Sequence, residues 1–226
     1  VVLYEVGMQG HGDTSPELLL IIHNISKRAN VKSLLRAALA FGVKTVFVAG
    51  SPKFNFDVHN CGEDEGGGGG TDGEAKRRKD LPAPVHDAIC GGTFKIVRFR
   101  KLRECVEAAV QPPYRARIIG IEIAEGSLSL DDDQNRLAEI FLGEGTRDEE
   151  VGVSNPNHLH PPRNVALMPG NEGTGLSEAQ MEYCSGTKGA IVTIPQYGGG
   201  TASLNVNVAA CVVMQRFVQW ADGQGA

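Results

Sequence analysis

Short, mostly apolar runs alternate along this chain with windows of helical periodicity, and that alternation constrains the fold more than any other feature. Residues 18–22, 45–49, 94–99, 117–123, 165–168 and 190–193 read as strands. Most lack the apolar–polar alternation of a sheet with one wet face. Near-continuous apolar strands are those of a parallel sheet covered on both sides. Between them, residues 31–41, closed by Gly42, 102–110, 177–184 and 203–220 carry helical spacing. The expected fold class is therefore α/β, a mostly parallel sheet flanked by helices. Such sheets bind ligands at the carboxyl ends of their strands, so the loops after Met168 and Ile194 are the first places to look.

The 226 residues fit one domain, 1–226. Two stretches interrupt the pattern. Residues 60–84 contain Gly66 to Gly70 in a row, then Lys76-Arg77-Arg78-Lys79, Pro82 and Pro84. Such a segment buries too little apolar area to order itself and reads as a flexible insertion. Residues 143–163, polar and rich in Pro and Gly, read as a second. No apolar run approaches the roughly eighteen residues of a membrane span, and the first ten residues show no basic leader. A net charge of −5 weighs against a free-standing, charge-driven nucleic-acid binder but leaves room for a local basic surface. The five cysteines have no Cys-x-x-Cys spacing, which argues against a zinc site or a disulfide framework and for a reducing intracellular compartment, cytoplasm or nucleus ahead of an organelle. His158 and His160 stand in a Pro-rich loop and read as surface residues, so no metal is expected.

Three motifs carry chemistry. In the third in chain order, Ile194-Pro195 ends a strand, a glycine-rich loop follows, and Ser203-Leu204-Asn205 opens the last helix, with Ser203 the expected N-cap. Asparagine is a poor helix former, so Asn205 and Asn207 in a first turn need a reason; solvent exposure is one, a polar ligand another. The second, Gly170-Asn171-Glu172-Gly173-Thr174-Gly175-Leu176, follows a buried strand. It lacks the Lys-Ser/Thr of a phosphate-binding P-loop and the spacing of a dinucleotide turn; a plain tight turn explains it equally well. The first runs from Asn30, an expected N-cap, to Arg36, with Lys32, Ser33 and Arg36 on one side of a helix. Taken alone that side is a solvated basic face.

In this order and context the three motifs resemble the SpoU/TrmH family of RNA 2′-O-ribose methyltransferases within the SPOUT superfamily, over roughly residues 18–50 and 94–221. The resemblance implies a C-terminal deep trefoil knot, a homodimer, and S-adenosylmethionine as cofactor, with S-adenosylhomocysteine as product and a tRNA or rRNA ribose 2′-hydroxyl as acceptor. By position it places Ile121 and Glu122, Gly170, and Ile194 and Leu204 on three cofactor-holding loops. It assigns catalysis to Arg36, Asn30, Glu172, Ser203 and Asn205, with Glu172 bonded to Arg36 or Asn30. A guanidinium stays protonated, so Arg36 is expected to orient and stabilise rather than to act as base. The family's final helix contributes to the subunit contact; here its apolar stripe is Ala209, Val213, Phe217 and Trp220, which could equally pack on its own sheet. Two rival functions remain, a catalytically silent RNA-binding or assembly protein of the same fold, and base methylation of tRNA. The Ser-Leu-Asn signature and the Asn…Arg helix favour ribose.

Overall fold

A computed structural model describes residues 15–50, 81–131, 133–143, 164–186, 189–198 and 203–223. Along the chain come β1 (Leu18–His23), α1 (Arg28–Ala40), β2 (Thr45–Ala49), α2 (Ala83–Cys90), β3 (Lys95–Phe99), α3 (Leu102–Val110) and β4 (Ala116–Ile121). Then follow β5 (Leu128–Ser129), α4 (Gln134–Leu142), β6 (Asn164–Pro169), α5 (Glu178–Tyr183), β7 (Gly189–Thr193) and α6 (Val206–Gly223). The seven strands form one sheet in the order β3-β2-β1-β6-β4-β7-β5. Every pairing is parallel, so all seven carboxyl ends lie on one edge.

Both faces of the sheet are covered, as its apolar strands require. Leu20, Ile22, Val46, Ile119 and Leu167 point to the side carrying α1, α2, α4 and α6. Leu19, Ile21, Phe47, Ile118 and Met168 point to the side carrying α3 and α5. Alternate residues of one strand thus enter opposite cores. Gly120 in β4 lets α5 pack closely, because a Cβ there would stand 2.8 Å from both Cys184 Sγ and Leu176 Cδ1. In the first core, Phe141 of α4 meets Phe217 and Trp220 of α6 at ring-centroid distances of 5.3 Å. Truncating one such aromatic costs about 3–5 kcal/mol. Of the expected stripe, Val213, Phe217 and Trp220 are therefore spent inside their own chain, and Ala209 is half-buried.

Several boundaries differ from the sequence reading. Of the first expected insertion, residues 60–80 lie outside the described residues, but 81–84 are folded: Leu81 is buried and Ala83-Pro84 begin α2. Proline in a first helical turn gives up only an N–H that has no intrahelical partner anyway. Of the second, residues 144–163 lie outside the described residues, and Gly143 closes α4 with φ +96°. Lys76 to Lys79, His158 and His160 also fall outside. The helices α2 and α4 and the short edge strand β5 come in addition to the expected elements. Cys90 is disulfide-bonded, which the cysteine spacing did not suggest. Cys105 and Cys184 are buried free thiols, pushed up to about 12 by burial. No described helix is long and apolar enough to cross a membrane.

Candidate active site

Three loops meet at the carboxyl edge, after β4, β6 and β7, and enclose a cleft of about 560 Å³. Four of the strands order β1-β6-β4-β7 lie side by side there, so segments distant in sequence are brought together by register. The loop after β6 is a tight hairpin. Asn171 N–H donates to Gly175 O (2.8 Å) and Gly175 N–H donates back to Asn171 O (3.0 Å). Asn171 Oδ1 accepts from the N–H groups of Gly173 and Thr174, and its Nδ2 donates to Asn24 O across to the β1 loop.

The hairpin tip carries Glu172 to the start of α1. Its Oε2 accepts from Ser26 N–H (3.1 Å) and Ser26 Oγ (2.9 Å). Its Oε1 accepts from Lys27 N–H (3.2 Å) and Asn30 Nδ2 (2.7 Å). Partial burial pushes this carboxyl up, but the bonds from Asn30, its own backbone and Ser26 outweigh that and hold it at about 2. Asn30 is therefore not the N-cap of α1. Lys27 holds that position, and the negative charge at the helix start comes from Glu172, 142 residues away. This frees Asn30, buried in the first turn, to bond sideways.

A carboxylate only accepts hydrogen bonds, so it fixes the orientation of each amide that follows. Asn30 must turn its NH₂ to Glu172 and its oxygen outward. That oxygen accepts from Asn207 Nδ2 at 2.9 Å. Asn207 is left with a buried Oδ1 that has no partner among the described residues. The asparagine in the first turn of α6 thus ties the third motif to the first. Asn205, not Ser203, caps α6: its Oδ1 accepts from Asn207 N–H (2.9 Å) and its backbone oxygen from Ala209 N–H. The serine side chain cannot serve because the helix begins two residues later than the sequence suggested, leaving Ser203 on the cleft wall.

Glu122 supplies a second clasp. Its Oε2 accepts from Leu176 N–H (2.8 Å) and its Oε1 from Ile123 N–H (2.9 Å), joining the loop after β4 to the end of the β6 hairpin. Gly175, at φ +68°, makes room, since a Cβ there would fall 2.0 Å from Glu122 Oε2.

Of the ten residues singled out from sequence, Ile121, Glu122, Gly170, Glu172, Ile194, Ser203 and Leu204 line the cleft. Asn30 and Asn205 stand behind it in the network above. Arg36 does not join them. It is exposed, about 9 Å along the α1 axis from Asn30, and Glu172 bonds Asn30 instead. Side-chain roles that sequence reasoning missed belong to Asn171, Asn207 and Ser26. For Asn171 and Asn207 the signal was an excess of asparagine in loop and first-turn positions; nothing in the sequence pointed to Ser26.

The lining has a distinctive charge. Among the described residues it contains the carboxylates Glu122 and Glu172 and no Lys, Arg or His; Ile121, Leu176, Val192, Ile194, Leu204 and Val206 supply apolar walls. The described residues also hold no cluster of three His, Cys, Asp or Glu side chains suited to a metal ion.

The profile of the SpoU rRNA Methylase family matches residues 94–215, more than half of the chain. The chain belongs to this family. No curated protein sequence matches it significantly. Among solved structures it is similar to the SpoU methyltransferase AviRb from Streptomyces viridochromogenes, with 20% identity and TM-score 0.54 over 94% of this chain and 63% of that one. A second AviRb structure, in complex with AdoMet, matches at 19% identity and TM-score 0.51 over 91% and 57%. The TrmH/SpoU tRNA modifying enzyme of A. aeolicus matches at 14% identity and TM-score 0.54 over 94% and 78%. These likenesses establish a common fold, the parallel sheet flanked by helices. The chain spans less than two thirds of the length of AviRb. The C-terminal trefoil knot is what membership of the SpoU family implies for the segment after β7.

Proposed function

We propose that this chain transfers a methyl group from S-adenosylmethionine to RNA, and that the acceptor is a ribose 2′-hydroxyl of tRNA or rRNA. The observation that carries this reading is the cleft: three loops, apolar walls, two carboxylates and no described cation. A phosphate-bearing nucleotide would meet acidic groups there. A nucleoside without phosphates that carries a positive sulfur suits the same lining, since the faces of its adenine pack on apolar walls and its sulfonium is drawn to oxygen. The volume falls in the range of small-ligand pockets. The residues present thus fit S-adenosylmethionine, as does the AdoMet complex of the related AviRb.

In this reading Ile121, Glu122, Gly170, Ile194 and Leu204 hold the cofactor, Glu122 by fixing the gap between two of its loops. When bound, the cofactor supplies a methyl on a cationic sulfur, open to attack. Glu172 is a positioning residue. A carboxyl held at about 2 and engaged by four donors is a poor base at neutral pH. Asn30, Asn205 and Asn207 keep α1 and α6 in place beside it, and Ser203 completes the wall. Arg36, beyond the cleft of its own chain, meets RNA rather than cofactor, orienting hydroxyl and phosphate. A homodimer, implied by the family, would use the outward side of α6, where Val208 is exposed, since Val213, Phe217 and Trp220 are spent inside.

Calorimetry with S-adenosylmethionine tests the reading directly. Binding in the micromolar range is expected; none at high micromolar cofactor would favour a catalytically silent RNA-binding protein. Mapping methylated nucleotides in tRNA and rRNA then separates ribose from base, and label found only on bases would overturn the 2′-O assignment.

A further inference from the structure

The carboxyl edge that carries the cleft is divided by charge. In the strand order β3-β2-β1-β6-β4-β7-β5, two of the first three strands, β3 and β1, end in cationic segments. Arg100 and Lys101 follow β3, and Lys27 and Arg28 follow β1. Of the other four, three end in acidic segments: Glu172 and Glu178 after β6, Glu122 and Glu125 after β4, Asp131 and Asp133 after β5; β7 is followed by the uncharged Ile194-Pro195-Gln196. Glu104, in the first turn of α3, is the exception on the basic side. A chain with net charge −5 has here gathered exposed cations on one half of one edge.

The basic half is continuous with the site. Gly50, at the end of β2, donates its N–H to Phe99 O (3.1 Å). A Cβ on Gly50 would lie 3.5 Å from the His23 ring and 3.9 Å from Arg100 O. Among the described residues, the ends of β1, β2 and β3 thus abut with no side chain at Gly50; residues 51–80, which follow it, lie outside them. From Glu172 to Arg100 the edge crosses three strand spacings, about 14 Å. Arg103 is engaged by Glu107 at 2.7 Å, whereas no ion pair among the described residues uses Lys27, Arg100 or Lys101. Neither residue of the Arg100-Lys101 pair is needed for packing, since both are exposed.

We infer that the RNA strand lies along this basic half, its phosphates on Lys27, Arg100 and Lys101, and leaves the cleft toward β3 and not toward β5. The acidic half repels a polyanion and is left to the cofactor. This inference rests on the RNA-methyltransferase reading and adds to it a direction and a set of contacts.

The test is a salt titration of binding to a fluorescent single-stranded oligoribonucleotide, comparing wild type, Arg100→Ala/Lys101→Ala, and a charge-matched control at the opposite edge, Lys44→Ala/Lys95→Ala. Each phosphate contact on a single strand contributes about 0.7 to the slope of log K against log salt. The Arg100/Lys101 variant should lose about 1.4 of slope and bind about 25-fold more weakly at 0.1 M salt, converging with wild type near 1 M. The control should keep the wild-type slope, and all three should bind S-adenosylmethionine alike. Equal losses in both double variants would reduce the effect to net charge and overturn the proposal, as would an unchanged slope in the first. A wild-type protein that binds cofactor and methylates RNA while Arg100→Ala/Lys101→Ala keeps its slope sinks the track alone. A wild type that binds neither RNA nor cofactor sinks the functional reading with it.

Discussion

Replacing Glu172 by glutamine keeps the shape of the side chain and removes its charge, which isolates what the carboxylate does. Four donors converge on it, at 2.7 to 3.2 Å. A glutamine offers one accepting oxygen and turns an NH₂ toward two of them, so two hydrogen bonds become donor–donor clashes. The displacement of the carboxyl from its ordinary 4.5 to about 2 corresponds to an upper limit of about 3 kcal/mol. The group is half-exposed, so solvent screening reduces this to about 1–2 kcal/mol. At roughly 2–4 °C per kcal/mol for a chain of this size, Tm should fall by about 3–6 °C at pH 7. The pH dependence is more specific. A carboxyl held below its unfolded value adds stability above about pH 4.5, and that contribution is lost as pH falls toward 2. Urea midpoints of wild type and Glu172→Gln should therefore differ fully at pH 7 and draw together between pH 4.5 and 2.5. Equal midpoints at pH 7, or a gap that stays constant down to pH 2.5, would refute the assignment of Glu172 as an ionised cap joining two motifs.

Three further outcomes follow from the same geometry. Gly175→Ala forces a left-handed alanine, about 1–2 kcal/mol, and displaces Glu122 from Leu176 N–H, about 1 kcal/mol more; thermal melts should show the loss and calorimetry a weaker cofactor site, and an unchanged Tm and Kd would show that Glu122 clasps nothing. Arg36→Ala should abolish methyl transfer while cofactor affinity stays near wild type, and undiminished turnover would remove Arg36 from the reaction. The thiols of Cys105 and Cys184, held at about 12 by burial, should stay unreactive to an aromatic disulfide reagent at pH 8 in the native state and react on unfolding; rapid native modification would contradict their burial.

The parts of the fold that sequence made legible are those where a strand has both faces buried. Residues 18–22 or 45–49 can be nothing but interior, and their apolar composition says so. β5 was not legible, because two residues at a sheet edge carry no pattern. α4 does carry a readable signal: Asp133 caps it by accepting from Asn135 and Arg136 N–H, and Leu137, Ile140 and Phe141 repeat at helical spacing.

The site divides along the same physical line. Backbone-lined positions such as Gly170 and Ile194 followed from where strands end, which periodicity reveals. Side-chain partners did not. Local rules make an asparagine at a helix start an N-cap, and Asn30 satisfies those rules, yet a carboxylate 142 residues away takes over the helix start and recruits Asn30 as a donor. Once Glu172 is in place, every amide after it is oriented without choice: Asn30 gives its NH₂ to the carboxylate, Asn207 gives its NH₂ to Asn30, and Asn207 Oδ1 ends the chain unpartnered. The network joins three separate motifs at a single carboxylate, which accounts for Asn207 in the first turn of α6; Asn205 is the N-cap, where asparagine is favoured.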